Sequence, residues 1–422
     1  MAGAAPDEGI RSAAETGGGR AGYDILILDA MNKQSLASAR RLGRTGLRVA
    51  LGESVGQFHP GSPPSSFASR YCARTLTLPE HTTDTGSYAT EVVSFVRDHR
   101  VKVVLPTGDE SITALAPHRE RFTELGCVLA VASDAALEIA NDKVRTLEIA
   151  AKLGIDYPRS VEVADVAELR KAEAEFGYPF VVKPTVSWTG KTGVRVAPVE
   201  VINEAEALDA TTRFLATGAG VLAQQLATGR REGVSLFIAD GEVLAHCGHV
   251  AHRTSPALGG ASAMRESIEV PAEILDAAVR LALAIGMEGP CEVEFRRDAS
   301  GHPLLMEINP RLAGTLENAI RSGVDFPLMI WQWATGQPVQ PVRAYRVGVR
   351  TRWLHGDLRW LVENRQRIGR PDSMPAARAA WTFISEFART RYYDFFDRDD
   401  MRPGLAEMRY TAAVAIRRSR HP

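Results

Sequence analysis

The stretch CEVEFRRDASGHPLLMEINPR, residues 291–311, alternates apolar and polar side chains on both sides of a short polar turn. Because successive strand residues point to opposite faces of a sheet, this pattern predicts a β-hairpin with one apolar and one polar face. A turn centred on the Ser-Gly pair would place Glu294 directly opposite Glu307, with both side chains on the polar face. Asn309 shares that face, and Arg311 follows the end of the strand.

Two carboxylates that face each other across a hairpin repel unless a cation lies between them. The amide oxygen of Asn309 completes an all-oxygen set with Glu294 and Glu307. Such a set suits Mg²⁺, with phosphate oxygens and water as the remaining ligands. The alternative is an ordinary charged sheet face exposed to solvent. The full spacing E-x(12)-E-x-N-x-R at the mouth of an apolar strand favours the metal site.

A second candidate site is FVVKPTVSWTGKTGVRVA, residues 180–197, in which Lys183 ends a predicted strand. The loop after this strand is rich in glycine and hydroxyl side chains, among them Ser187, Thr189 and Gly190. The backbone N–H groups and hydroxyls of such a loop can bind phosphate oxygens, and the loop can close over a ligand as a lid. We therefore predict phosphate binding here.

The same loop contains TVSWTGKT, which differs from the P-loop pattern G-x-x-x-x-G-K-[ST] only by Thr185 at the first glycine. A P-loop must lead into a helix whose N-terminus holds the phosphate. The residues that follow alternate in polarity like a strand, so we predict strand, loop and strand instead of a P-loop.

The chain as a whole predicts an α/β protein, α+β overall. Strands and helices alternate in residues 23–54 and 91–115, which indicates a parallel sheet with right-handed crossovers. From residue 232 onward the strands alternate in polarity, and a hairpin is predicted to turn at Asp240 and Gly241. The first strand is followed by DAMNKQ, which lacks the glycines of a dinucleotide-binding turn, so we expect the ligand site elsewhere.

Composition argues against several classes of function. A net charge of −1 over 422 residues gives no overall attraction to nucleic acid or to an anionic membrane. No apolar run reaches the roughly 18 residues of a membrane span. Residues 1–22 lack the apolar segment of a signal peptide and predict a disordered leader. The cysteines are far apart and form no CxxC pair, which argues against a zinc cluster and fits a reducing, cytoplasmic location. They are Cys72, Cys127, Cys247 and Cys291.

The C-terminal end is basic, since residues 341–422 carry 17 arginines, no lysine and nine acidic residues. We interpret this end as a solvated surface, with an interaction surface as the alternative. For residues 337–422 we expect packing against the rest of the protein, followed by a dimer contact or a cover over the substrate.

Taken together, these motifs resemble the ATP-grasp superfamily, and within it the carboxylate–amine ligases related to carbamoyl-phosphate synthetase and biotin carboxylase. The resemblance runs over residues 23–336. It implies an N-terminal α/β domain over residues 23–132 and an ATP-grasp domain with an antiparallel sheet over residues 133–336. A small lid over about residues 155–226 belongs to the second domain, and residues 337–422 are a C-terminal extension of uncertain role.

The resemblance also implies roles for individual residues. Lys143 and Lys183 would contact the phosphates of ATP, and Glu232 would hold the ribose hydroxyls. The adenine would meet the hinge strand, and the positions implied there are Gln224, Gln225 and Leu226. Many relatives have Glu at the position of Gln225, so this chain departs from the pattern there. The implied metal ligands are Glu294, Glu307 and Asn309.

The activity implied by the resemblance is an ATP-dependent ligation of a carboxylate to an amine through an acyl phosphate, with release of ADP and phosphate. Arg311 and Lys183 would be the catalytic residues, and ATP with Mg²⁺ or Mn²⁺ the cofactors. Two alternatives stay open: a bicarbonate-dependent enzyme of the carboxylase or carbamoyl-phosphate type, and a non-catalytic ATP-binding module. The expected partners are a small carboxylate and a small amine, with a homodimer as a further possibility and no nucleic acid or membrane.

Substrate contacts are predicted from two further stretches. In HCGHVAHRTSPALGGASAMRES, residues 246–267, Gly260 belongs to a tight turn that can bind an anion, and Arg265 is expected to pair with the substrate carboxylate. In LPTGDES, residues 105–111, the Asp and Ser follow a strand of the parallel sheet and could contact the substrate. We favour a role for them as caps of the next helix.

Overall fold

The computed structural model describes residues 22–59, 61–185, 198–218, 220–256, 259–371 and 373–420, with side chains up to residue 413. The predicted leader lies outside these residues except for Gly22. Within the described chain, no helix combines the length and the apolar character required to cross a bilayer. All four cysteines are free thiols.

A five-stranded parallel sheet forms the N-terminal part, with strand order β3-β2-β1-β4-β5. Its strands are β1 (Ile25–Ile27), β2 (Val49–Ser54), β3 (Cys72–Leu78), β4 (Val103–Leu105) and β5 (Val128–Leu129). Its helices are α1 (Lys33–Arg44), α2 (Thr85–His99), α3 (Asp109–Leu115) and α4 (Arg119–Thr123). The central strand β1 is fully buried, with Leu26 in one hydrophobic cluster and Ile25 and Ile27 in another. The predicted parallel sheet is confirmed, and its central strand β1 is buried on both faces.

Two helices and a small antiparallel sheet follow. The helices are α5 (Asp134–Ala140) and α6 (Lys143–Lys152). The sheet has the order β6-β9-β7-β8. Its elements, in chain order, are β6 (Ser160–Glu162), α7 (Val166–Phe176), β7 (Phe180–Pro184), β8 (Val199–Val201), α8 (Glu204–Ala216) and β9 (Val221–Gln225). We call this unit the lid. Strands β7 and β8 pair antiparallel on either side of the predicted phosphate loop, which is the predicted strand–loop–strand order.

A seven-stranded sheet is the largest element, with the order β14-β13-β10-β11-β12-β15-β16. The first part of the chain in this sheet supplies the strands β10 (Arg231–Ala239), β11 (Glu242–Ser255), β12 (Ala261–Ile268), β13 (Gly289–Arg297) and β14 (Pro303–Asn309). The helices of the same stretch are α9 (Ala272–Ile285), α10 (Leu316–Ser322) and α11 (Phe326–Ala334). Asp240 and Gly241 form the turn between β10 and β11, both with positive φ, as a two-residue hairpin requires. Helix α9 buries one apolar face, which contains Ile274, Ala278, Leu281 and Ile285, against this sheet.

The C-terminal residues continue the same sheet. They contribute β15 (Arg350–Arg352), α12 (Leu354–Gln366), α13 (Ala376–Arg389), β16 (Tyr392–Tyr393) and α14 (Arg402–Arg420). Strand β15 pairs with β12, and β16 pairs with β15. The predicted packing of the C-terminal extension against the rest of the protein is thereby confirmed. The interpretation of the arginines as a solvated surface is wrong for Arg352, which is fully buried in an ion pair with Asp357.

Candidate functional site

A cavity of about 430 Å³ lies between the lid, the seven-stranded sheet and the edge of the parallel sheet. We call it the main cavity. Most of the described residues predicted to bind a ligand or a metal line it: Lys143, Lys183, Gln224, Gln225, Leu226, Gly260, Glu294, Glu307, Asn309 and Arg311. Ser187, Thr189 and Gly190 lie outside the described residues.

The acidic hairpin has the predicted register at its functional end. Glu294 is the direct partner of Glu307 across β13 and β14, and Glu292 is the partner of Asn309. The four side chains therefore share one face of the sheet. The register shifts by one residue beyond Glu294, towards the turn, so the irregularity leaves the opposed carboxylates in place.

Lysines on the opposite side of the main cavity balance these acids. Lys183 is 5% exposed, and its Nζ donates a 2.8 Å hydrogen bond to Oε1 of Gln224. Burial and the neighbouring Lys143 lower the pKa of Lys183 to about 7, against the opposing effect of Glu307. Burial by itself would raise the pKa of Glu307, but Lys143 and Lys183 outweigh it and hold the pKa below its usual range. Glu307 is therefore ionised at neutral pH.

Arg311 reaches the main cavity as predicted, and it has a partner that the sequence did not reveal. Its Nε donates to Oδ1 of Asp109 at 2.6 Å, and its Nη2 donates to Oδ1 of Asn309 at 3.2 Å. The favoured role of Asp109 as a helix cap is wrong, because Gly108 is the N-cap of α3 and the Asp109 carboxylate pairs with Arg311. Asp109 thus ties the parallel sheet to the acidic hairpin.

Arg231 is a site residue that the sequence analysis missed. Its Nη2 and Nε donate to Oε2 of Glu294 at 2.5 and 2.9 Å, and its Nη1 donates to the carbonyl oxygen of Gly260 at 2.7 Å. The structure does not support the predicted ribose contact of the next residue, Glu232. That carboxylate does not line the main cavity and is ion-paired with Arg230 and Arg297. Adjacent strand residues face opposite ways, so only one of the two can face the cavity.

Strand β9, which is the predicted hinge strand, presents its side chains in two directions. Gln224 is buried and bridges Lys183 to the hydroxyl of Ser160, to which its Nε2 donates at 2.9 Å. The exposed side chain of Gln225 instead accepts a 3.1 Å hydrogen bond from Nε of Arg159. Gln224 therefore positions the lysine, and Gln225 secures the edge of the lid.

The predicted substrate contact of Arg265 is contradicted. Its side chain is fully buried and forms two hydrogen bonds with the carboxylate of Asp394, so it does not line the main cavity. The tight turn at Gly260 is present, because a Cβ there would come within 2.1 Å of the carbonyl oxygen of Pro256. The sequence could not reveal the Arg265 pair, since its acidic partner is 129 residues away.

The donor set of the acidic hairpin fits a divalent cation. The described residues contain no group of three or more His, Cys, Asp or Glu side chains arranged as a metal centre. Two opposed carboxylates with the adjacent amide oxygen of Asn309 are, however, oxygen donors of the kind that Mg²⁺ takes when a substrate phosphate supplies further ligands. Arg231, which holds Glu294, occupies part of the same space.

A family model described as "ATP-grasp in the biosynthetic pathway with Ter operon" matches residues 245–356. This match covers most of β11, the strands β12, β13, β14 and β15, and the first part of the C-terminal extension.

Two curated relatives match larger parts of the chain. A carbamoyl phosphate synthase large chain of Rubrobacter xylanophilus is 28% identical over 240 residues, which is 54% of this chain and 22% of the relative. A D-alanine–D-alanine ligase of Ectopseudomonas mendocina is 28% identical over 216 residues, 46% of this chain and 64% of the ligase. The chain thus spans less than two thirds of the length of either relative.

The fold resembles a solved structure over most of its length. A biotin carboxylase from Campylobacter jejuni, solved as a β,γ-ATP complex, superposes with a TM-score of 0.60. The superposition covers 78% of this chain and 74% of the carboxylase at 15% sequence identity. The predicted arrangement of a parallel sheet, a lid and an antiparallel sheet is therefore confirmed as a known fold.

Proposed function

We propose that the chain is an ATP-dependent ligase of the ATP-grasp superfamily that joins a carboxylate to an amine. One observation carries the proposal: two lysines, two opposed carboxylates, an amide and an arginine converge on one cavity from three different parts of the chain. A cavity that only bound a nucleotide would have little use for Arg311 beside the acidic hairpin. The similarity to a D-alanine–D-alanine ligase supports the same reaction class.

In this proposal, Lys143 and Lys183 bind the phosphates of ATP from the lid side. Glu294, Glu307 and Asn309 hold Mg²⁺ or Mn²⁺ from the sheet side. The bound cation supplies charge neutralisation on the phosphate oxygens. Because Lys183 is buried and Glu307 is half-buried, their charges act in a medium less polar than water, where they are worth more.

The reaction would proceed in two transfers. An oxygen of the substrate carboxylate attacks the γ-phosphorus, ADP leaves, and an acyl phosphate forms. The amine then attacks the acyl carbon, and inorganic phosphate leaves. Arg311 stabilises the negative charge that develops on the acyl oxygen, and Asp109 holds its guanidinium in place. At the lysine end of the cavity, Lys183 is buried and Lys143 is half-buried.

The test is turnover by variants of the acidic hairpin. We expect Glu307→Gln and Arg311→Ala each to lower turnover by about 10²-fold or more, the usual scale for losing one stabilising group. ADP release with ATP, Mg²⁺ and a panel of carboxylic acids and amines is the measurement. Glu242→Gln, an exposed position on the same sheet, is the matched control and should be unchanged.

Near wild-type turnover in the hairpin variants would overturn the assignment of the site. A reaction with bicarbonate as the only acid distinguishes ligation of a carboxylic acid from carboxylase-type chemistry. ATP binding with no ADP release on any acid, bicarbonate included, would replace the ligase with a non-catalytic module.

A further inference from the structure

Helices α12 and α13 of the C-terminal extension carry large apolar side chains on the protein surface. On α13, Trp381 is 69% exposed and Ile384 is 61% exposed, and Phe387 is exposed as well. On α12, Leu358 and Val362 are exposed. Spacings of three and four residues place the members of each row on one side of their helix. We call these side chains of the two helices the apolar face.

Both helices pack on the same side of the seven-stranded sheet. Asp357 of α12 forms ion pairs with Arg253 on β11 and with Arg352 on β15. Arg352 also donates a hydrogen bond to the carbonyl oxygen of Phe383 on α13, and its guanidinium lies 4.3 Å from the centroid of the Phe387 ring. Shared contacts therefore hold the inner sides of the two helices on the sheet, and the apolar face on their outer sides points to solvent.

The acidic side chains described on these two helices are turned into the fold. Asp357 is buried, and Glu386 is buried in an ion pair with Arg350. Glu363 is half-buried in an ion pair with Arg359. No exposed acidic side chain is therefore found among the described residues of α12 and α13.

The exposed charges next to the apolar face are positive. Over the described part of residues 354–391, every exposed charged side chain is an arginine, and none of them forms an ion pair with another described residue. We call them the exposed arginines: Arg365, Arg378, Arg389 and Arg391. A partner for this surface must therefore offer both apolar material and negative charge.

An anionic bilayer meets both requirements better than the other candidates. A second copy of this chain would place the exposed arginines of the two copies against each other across a two-fold contact. Nucleic acid is anionic, but its phosphate backbone offers no apolar layer for aliphatic side chains. At a bilayer surface, lipid phosphates bind guanidinium groups, and the layer beneath them takes up apolar side chains. Tryptophan suits that depth, because its ring is apolar and its N–H is polar.

We propose that the apolar face of α12 and α13 binds the surface of an anionic phospholipid bilayer. The two helices lie flat on the bilayer, with the apolar face below the headgroups and the exposed arginines on lipid phosphates. The predicted absence of a membrane partner rested on the net charge of the whole chain, −1, which does not reflect this locally basic surface. The proposal goes beyond the ligase function and does not depend on it.

Co-sedimentation of the full-length protein with lipid vesicles tests the proposal. The probes are vesicles of phosphatidylcholine alone and vesicles in which about a third of the lipid is phosphatidylglycerol. We expect binding to the anionic vesicles to be at least about tenfold tighter at about 0.1 M salt, and to weaken at about 0.5 M salt because ions screen the arginines. Absence of binding to the anionic vesicles, or equal binding to the two kinds of vesicle, would overturn the proposal.

A double variant tests the apolar contribution. Trp381→Ser with Ile384→Ser should weaken binding to the anionic vesicles by at least about tenfold, because two large side chains no longer enter the apolar layer. Val166→Ser with Leu283→Ser is the matched control, since it removes exposed apolar side chains from α7 and α9. Both double variants should bind the ATP analogue like the wild type, which shows that they are folded. Equal vesicle binding by the two double variants would contradict the proposal.

A second double variant tests the charge contribution. Arg378→Gln with Arg389→Gln should reduce the preference for anionic over neutral vesicles. Arg74→Gln with Arg213→Gln, which removes exposed arginines from β3 and α8, is its matched control and should keep the full preference. An equal loss of preference in both would assign the effect to overall charge and overturn the role of this surface.

Tryptophan emission locates the contact by a second readout. Because Trp381 enters apolar surroundings on binding, the emission of the wild type should shift to shorter wavelength with anionic vesicles. Trp381→Phe keeps an apolar ring, so it should still bind the vesicles but lose most of this shift. A full shift in that variant would contradict the location. A dimer in sedimentation equilibrium that Trp381→Ser with Ile384→Ser disrupts, without vesicle binding by the wild type, would overturn the proposal and assign the apolar face to a second copy.

Discussion

Lys183 shows how strongly its surroundings change a single residue in this site. It lies on a buried strand beside a second cation, and both burial and Lys143 lower its pKa to about 7. The side chain is held by Gln224, which accepts a hydrogen bond and supplies no negative charge. A bound phosphate would be the first strong anion on that side of the lysine.

Nucleotide affinity is therefore expected to depend on pH. Phosphate binds the protonated lysine and raises its pKa, so affinity is full below about pH 7 and falls by up to about tenfold per pH unit above it. Titration with a non-hydrolysable ATP analogue and Mg²⁺ from about pH 6 to about pH 9 measures the effect.

Lys183→Arg is the control for this residue. It keeps a positive charge over the whole range, so its affinity should be flat with pH. A slope in the variant that matches the slope of the wild type would assign the pH dependence to another group.

At the scale of elements, the lid is connected to the C-terminal extension. Arg367 and Arg370, which follow the end of α12, form ion pairs with Glu200 on β8 and Glu206 on α8. The Arg367 pair is the more protected of the two, because the carboxylate of Glu200 is buried. The contact holds the lid in the position seen here.

Removing these pairs is expected to speed nucleotide release. Partly exposed ion pairs contribute up to about 1 kcal/mol each, so Arg367→Ala with Arg370→Ala should favour the open lid by roughly five- to thirtyfold. Stopped-flow displacement of a fluorescent ATP analogue gives the release rate.

Arg170→Ala is the matched control for the lid. Arg170 pairs with Glu173 and Glu204 inside the lid itself, and among the described residues it forms no ion pair with α12. Equal acceleration in the control and in the double variant would show that general loosening of the lid, and not its tie to α12, sets the release rate.

At the scale of the whole molecule, buried ion pairs join the C-terminal extension to strand β12 of the seven-stranded sheet and to helix α1 of the N-terminal part. Arg265 on β12 and Arg40 on α1 are both fully buried. Arg265 pairs with Asp394 and Arg40 pairs with Asp400. Both aspartates follow the short strand β16 along the chain. The extension is therefore part of the fold, because removing it would leave two arginines buried without partners.

Loss of one of these carboxylates is expected to be severe. Asp394→Asn should lower the free energy of unfolding by about 3–5 kcal/mol, since it leaves a buried guanidinium uncompensated. Denaturant unfolding followed by circular dichroism is the measurement.

Asp399→Asn is the comparison for this prediction, because the side chain of Asp399 is 47% exposed and its pair with Arg44 lies near the surface. It should cost less than about 1 kcal/mol. Equal losses in the two variants would contradict the distinction between buried and surface pairs.

Much of the site was predictable because the information is local. Strand alternation has a period of two, so the letters of the hairpin were enough to place Glu294 opposite Glu307, with Asn309 on the same face. The structure does not support the ribose contact that the resemblance implied for Glu232, and nothing in the sequence says which face of β10 meets the cavity. The structure turns Arg231 towards it instead.

By itself, the sequence determined the order of the sheets, the opposed carboxylates and the lysine at the end of the lid strand, since each follows from short-range periodicity and strand ends. Only the tertiary structure decided which charges remain for a ligand. Arg265 is neutralised by Asp394, and Arg311 is held by Asp109. Partners so far apart along the chain leave no local pattern, because they meet only when the sheets pack together.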